Sequence, residues 1–310
     1  MRDDVKEVSG IRCWFISRLC VLFFITGLFL SACTRTMVPI GTKTISLPTP
    51  TTQPQLQVSP SPSSEVKTDR YAVVWVGNEE TLIVRKPAGL SGTAVSELAY
   101  DQRGIKLTGS STRLGSSTWV EIHTPAGGTG WVNVWNLTED VLPLQFCKDA
   151  RVNILLETFI SSLIDQDGET LSRNVHPERG LILRHDWWNP DIIYLPNSAN
   201  GIFGDLTEID WGVLGGSEFH ILGSFRQVLL PQMEDVFSVT PEVKCNEMIA
   251  GVTTQVAIWP SKFHNMNFYV FHRSSPEGGN KYDWRSLAIG IEYIDNQPYI
   301  SVVIQYRGDI

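Results

Sequence analysis

Five histidines and six acids crowd the second half of this 310-residue chain: His176, His185, His220, His264 and His272, with Asp186, Asp191, Glu208, Asp210, Glu218 and Asp283. Groups of these types hold metals, move protons or cleave glycosidic bonds, and their spacing decides which. A metal site usually draws two ligands from one element, such as histidines four apart on a helix. No two of these histidines have that spacing. His264 and His272 are eight apart, which suits one face of a strand, but Asn265, His264's neighbour, and Asn267 are expected to break it. Neither a metal nor a cofactor is expected.

Asp186, Asp210 and Asp283 each precede a tryptophan, namely Trp187, Trp211 and Trp284. Glycoside cleavage needs two carboxyl groups ~5 to 9.5 Å apart, one with a raised pKa, and a sugar cleft alternates acids with rings in this way. Rings that pack while aspartates bond nearby amides give the same pattern, so no catalytic residue is assigned. Trp187, Trp188 and Trp211 are candidate walls of a ligand pocket. Cys147, followed by Lys148 and Asp149 just before a helix, stands where a nucleophilic thiol could sit.

These side chains need elements to hold them. Asp149 can cap a helix on which Val152, Leu155, Leu156, Phe159, Ile160 and Leu163 form one stripe, running to about Ile164. Asp167 can cap a second short helix carrying Leu171 and Val175, ending at His176 and Pro177. A further helix is expected from Ser224 to Met233, ended by Pro231 or slightly beyond. Strand-like runs cover Leu181 to Leu183, Ile192 to Leu195, Val252 to Trp259, Phe268 to His272, Leu287 to Ile294 and Tyr299 to Tyr306. The last two form a hairpin turned by Asp295, Asn296, Gln297 and Pro298. This order predicts an α+β domain over 145–310, with helices packed on an antiparallel sheet, and it is similar to that of the NTF2-like cone fold. Val175 to Gly180, Trp211 with Gly212, and the final hairpin resemble a C-terminal domain of exported bacterial lipoproteins. That resemblance implies no activity.

Residues 69–142 read as an all-β unit. Short strands are expected at Tyr71 to Val76, Leu82 to Arg85, Gly104 to Thr108, Thr118 to Ile122 and Gly130 to Val134, separated by Gly77, Pro87, Gly89, Gly92, Pro125, Gly127 and Gly128. Leu82, Val84 and Arg85, then Trp119, Val120 and Ile122, then Gly130, Trp131 and Val132, with Leu137 closing, resemble a bacterial SH3-like domain. Lys86, Pro87, Ala88 and Gly89 depart from its usual glycine-proline-glycine stretch. The resemblance implies a small barrel of a kind that includes binders of peptidoglycan peptides. Trp119, Trp131 and Trp135 are candidates for an aromatic groove. The alternative is that Trp119 and Trp131 are barrel core, with Trp135, beyond the last strand, exposed for contact.

The amino-terminal stretch is of a different kind. Basic Arg12 and Arg18 precede an apolar run from Leu19 to Leu30, short of the ~20 residues a spanning helix needs. Leu30, Ser31, Ala32 and Cys33 close it and resemble the lipobox of a bacterial lipoprotein. The resemblance implies a signal peptide over 1–32, removal of that segment, and a lipidated Cys33 that anchors the chain to the outer face of a bacterial membrane. From 33 to 68, prolines at 39, 48, 50, 54, 60 and 62 mix with serine and threonine and no aromatics, the composition of a disordered tether.

With that leader gone and Cys33 used as a thioether, Cys147 and Cys245 are left of the five cysteines. An even pair in an oxidising compartment points to a disulfide, and two reduced, buried thiols are the alternative. The net charge of −8 and the lack of basic runs argue against nucleic acid as a partner. The sequence therefore predicts a non-enzymatic, extracytoplasmic envelope lipoprotein, with a wall-binding module and a domain that binds a ligand or another envelope protein. A peptidoglycan hydrolase using the C-terminal carboxylates, and an inhibitor that contacts a partner protein, are the alternatives.

Overall fold

The chain turns into strands wherever β-rich runs alternate between glycine and proline breakers. The computed structural model describes residues 68–253 and 256–308. Cys33, the leader and the tether up to residue 67 lie outside the described residues. The fold is mostly β, with few and short helices.

Seven strands make the first sheet: β1 (Arg70–Val73), β2 (Thr81–Lys86), β3 (Thr93–Ala99), β4 (Ile105–Leu114), β5 (Ser117–His123), β6 (Thr129–Asn133) and β7 (Leu137–Glu139). Their order is β3-β2-β6-β5-β4-β1-β7. Alternate side chains turn inward, so Leu82, Val84, Val120, Ile122 and Val132 share one core. β3 has no counterpart among the expected strands, since only Leu98 of its seven residues is buried and the alternation that marks a half-buried strand is missing. The expected strand to Val76 stops at Val73. Trp75 takes a left-handed φ of 65°, and Val74 leaves this sheet to join the core of the next one.

Helices α1 (Pro143–Phe146), α2 (Ala150–Ile164) and α3 (Gly168–Asn174) follow. Asp149 and Asp167 cap α2 and α3 by accepting from the backbone N–H of Arg151 and Thr170. The stripe on α2 is buried at Val152, Leu155, Leu156, Phe159 and Leu163.

The rest of the chain gives β8 (Leu181–His185), β9 (Ile192–Tyr194), α4 (Pro196–Gly201), β10 (Ile209–Val213), β11 (His220–Gly223), α5 (Phe225–Val228), α6 (Leu230–Phe237), β12 (Glu242–Cys245), β13 (Asn267–Arg273), β14 (Arg285–Ile294) and β15 (Gln297–Arg307). A curled, half-barrel sheet runs β12-β13-β14-β15-β8-β9, and β10 pairs with β11 in a separate ribbon. It is antiparallel except that β8 lies parallel to β15. That departs from the expected all-antiparallel sheet. Strands so far apart in sequence have no hairpin to fix their sense.

Three other expectations need correcting. The helix over Ser224 to Met233 is two helices, and Pro231 opens the second, where its missing N–H leaves no bond unmade. The run from Val252 to Trp259 forms no strand in its described part. Its carbonyls are taken by side chains instead, with Trp284 Nε1 donating to Val252 O and Tyr306 Oη to Ile258 O. The final turn is tighter than expected: Asp295 and Asn296 both have positive φ, 50° and 63°, and Gln297 and Pro298 already belong to β15.

The curled sheet buries both faces. Leu181, Leu183, Phe271, Ile289 and Val303 pack under α2, α3 and α6, while Ile182, Val270, Ala288, Val302 and Ile304 face a second core that takes in Val74. Side chains at and just before the start of β13 also reach the first sheet and the segment leaving it, since Asn265 Nδ2 donates to Val73 O and Asn267 Nδ2 to Val141 O. The described residues form one compact unit. Cys147, just before α2, and Cys245, at the end of β12, lie at disulfide distance, with Cα atoms 5.9 Å apart.

Candidate functional site

Trp135 is set out by the turn that follows β6. Asn133 Oδ1 accepts from Trp135 N at 3.0 Å, which fixes the single 3-10 turn Val134–Asn136. The Trp135 ring lies 5.3 Å from the Arg179 guanidinium and 6.3 Å from the Trp75 ring, so it is steadied from within the protein. A cleft of about 530 Å³ opens beside it. Arg113 and Ser116 to Thr118, from the β4–β5 hairpin, line it together with Asn133, Trp135 and Glu178.

Trp119 and Trp131 do not line this cleft. Trp119 stands opposite Asn133 and Trp131 opposite Glu121, so both point away from the core that holds Val120, Ile122 and Val132. Trp119 is nonetheless 4 % exposed, whereas Trp131 is half-buried. They form no three-ring groove with Trp135: Trp119 is interior and Trp131 half-buried.

A second cleft of about 530 Å³ is lined by Trp187, Trp188 and residues 213–218, the end of β10 and the loop that follows it. Asp186 takes a φ of 56°, rare for a residue with a side chain, and turns the chain so that both indoles are half-buried. The rings meet edge to face, 5.7 Å apart at 85°. Asn189 fastens the two walls together: Nδ2 donates to His185 O and Val213 O, and Oδ1 accepts from Val213 N. Trp211 is not a wall. It is fully buried, and its Nε1 donates to Gly223 O at 2.8 Å to close the β10–β11 ribbon.

The five histidines go to five different places. His185 is fully buried beside Asp186, His220 pairs with Asp210 at the surface, and His272 Nδ1 meets Ser286 Oγ at 2.8 Å. His264 packs edge-on to Tyr100, one turn before β13 begins at Asn267. Among the described residues no three His, Cys, Asp or Glu groups come together as a metal site. The three Asp-Trp acids also serve separate neighbours. Asp210 accepts from Gly212 N, which with His220 holds it below the ordinary carboxylate range, and Asp283 pairs with Arg273 and Arg285. Cys147 faces Cys245 at disulfide distance and is not set out as a nucleophile.

Sequence reasoning missed a buried cluster at the junction of the two sheets. Arg179, 3 % exposed, bonds Glu292 Oε1 through Nη1 and donates through Nη2 to the carbonyls of Trp135 and Leu137. Ser301 Oγ donates to Glu292 Oε2, and His176 Nε2 lies 3.2 Å from Arg179. Burial would raise the Glu292 carboxyl, but Arg179, His176 and Ser301 together hold it below its ordinary value. Burial pushes His176 down to about 4, with Arg179 adding to the effect and Glu292 opposing it. Glu139, which with His176, Arg179 and Glu292 lines a cavity of about 270 Å³, is pushed up by burial, an effect opposed by the N–H groups of Asn296 and Asp295. Arg179 and Glu292 are 113 residues apart, and no local pattern marks such a pair.

Compared with protein-family models, with curated proteins and with solved structures, the chain matches none of them. What the clefts can bind is therefore argued from their own chemistry. Among the described residues no helix is long and apolar enough to cross a membrane.

Proposed function

We propose that the protein is a lipid-anchored, non-enzymatic envelope protein that grips the cell wall through an SH3-like module, residues 69–142, carried on a tether from Cys33. The Trp135 cleft carries this reading. It brings together in one lining a cation, Arg113, an anion, Glu178, an indole, Asn133 and the hydroxyls of Ser116, Ser117 and Thr118. A short peptide with a free amine and a free carboxylate, as in the stem and bridge peptides of peptidoglycan, offers the matching charges and an apolar flank for the ring. Glu178 comes from beyond β7, so the remainder of the chain, 145–310, completes the cleft as well as binding a ligand or partner of its own.

Sedimentation of the full chain with insoluble peptidoglycan tests this. The wild type should pellet with the wall, and Trp135→Ala should lower retention about tenfold, the scale of one well-placed aromatic contact. Equal retention of wild type and variant, or retention no better than that of an unrelated acidic protein, would remove the reading.

A further inference from the structure

We infer that the corner formed by Trp187 and Trp188 is a second binding site, separate from the Trp135 cleft, and that its ligand is a neutral β-1,4-linked hexopyranose chain.

The shape comes first. Two consecutive indoles set at 85° give a flat face and an upright wall, so a six-membered ring can lie on one and abut the other. An all-equatorial hexopyranose carries its axial C–H groups on its two faces, and those faces are the apolar surfaces that stack on indole. The cleft volume, about 530 Å³, falls within the ~300 to 1,000 Å³ of small-ligand sites.

The rim is polar and close. Gly215 and Gly216 present backbone without side chains on the wall opposite the rings, which lets hydroxyl groups reach main-chain N–H and C=O. Glu218, exposed at the end of that wall, is an acceptor for a pair of sugar hydroxyls. The carboxylate, on a chain of net charge −8, disfavours anionic ligands and acidic headgroups.

The corner is also pre-organised, which spares a weakly binding ligand the cost of ordering it. Asn189 bolts the tryptophan turn to β10 through two hydrogen bonds with Val213 and to the end of β8 through a third, donated to His185 O. Arg184 Nη1 donates to Trp187 O at 2.6 Å, and Arg184 pairs with Asp191 beyond the turn. Asp186 N donates to Gln305 O and keeps the near end in register with β15. A loop fixed at both ends, with two large rings left partly open, is built to receive something.

Fluorescence titration of the full chain tests the inference, with the β-1,4-linked N-acetylglucosamine tetramer as probe. α-1,4-Linked maltotetraose and a proline-rich decapeptide are the comparison ligands. Saturable binding of the first probe is expected, weakened about tenfold in Trp188→Ala, held within about threefold of wild type in Trp188→Phe, and reduced severalfold in Glu218→Gln. Because Glu218 is exposed, its variant reports on binding even where Trp188→Ala perturbs folding. Trp135→Ala should leave the titration unchanged, so failure of the wall-peptide reading and failure of this one are told apart. Undiminished binding by both Trp188→Ala and Glu218→Gln, no saturation at millimolar tetramer, or binding of the decapeptide in its place would overturn the assignment.

Discussion

Arg179 and Glu292 are buried to within a few per cent, and between them they touch both sheets. Removing one member of such a pair strands a charge away from water, which typically costs ~3 to 5 kcal/mol. Arg179→Met is expected to lower the urea-unfolding free energy by about that much, and Arg179→Met combined with Glu292→Met to recover part of the loss. A neutral single variant would show that the cluster does not hold the sheets together. His176 gives the cluster a pH signature. Its folded value near 4 lies below the ordinary 6.5, so the folded state refuses a proton that the unfolded chain accepts in that window. Its contribution is fully present above pH 6.5 and declines as pH falls towards 4, at about 1.4 kcal/mol per unit. Urea midpoints between pH 7 and 4.5 should therefore fall more steeply for wild type than for His176→Gln. None of this was legible from the sequence, where His176 was one histidine among five and Glu292 one polar position in a β-rich run. Among the tryptophans, the order of residues could not tell Trp211, wholly interior, from the partly open Trp187 and Trp188.

At the level of elements, local signals were sufficient where local physics decides. The caps Asp149 and Asp167, the α2 stripe and the β14–β15 hairpin all rest on contacts a few residues long. Signals failed where a distant side chain substitutes for a ladder bond, as Trp284 and Tyr306 do along 252–258, and where β8 pairs in parallel with a strand over a hundred residues away. Gly212 shows such a tertiary constraint at one atom. Its φ is 94°, and an added Cβ would meet Asn189 Oδ1 at 2.1 Å. Gly212→Ala should cost more than ~1 kcal/mol and loosen the Trp187 turn, seen as a red shift in tryptophan emission; an unshifted, fully stable variant would contradict the clamp. Cys147 and Cys245 close a loop of 98 residues between the start of α2 and the edge strand β12. On the chain-entropy account a bond there stabilises by up to ~4.7 kcal/mol. Mass analysis after alkylation should find both thiols blocked until reductant is added, with the urea midpoint falling once it is; two thiols free in the native protein would refute the cross-link.

For the whole molecule, the described body supplies two clefts, while the proposed address rests on the lipobox-like Leu30 to Cys33 and the proline-rich stretch after it. If extended, the segment from Cys33 to Thr68 would reach up to ~110 Å at ~3.1 Å per residue, far enough for the proposed anchor to hold the body clear of a lipid surface. Both binding proposals take their ligands from that location, so the address is the claim on which the account turns. Its most direct test is the mass and the cell fraction of the protein made in a bacterial host. The account predicts recovery in the membrane fraction, with residues 1–32 absent and fatty acyl mass on Cys33. Recovery in the cytosol with Met1 retained and Cys33 unmodified would contradict it.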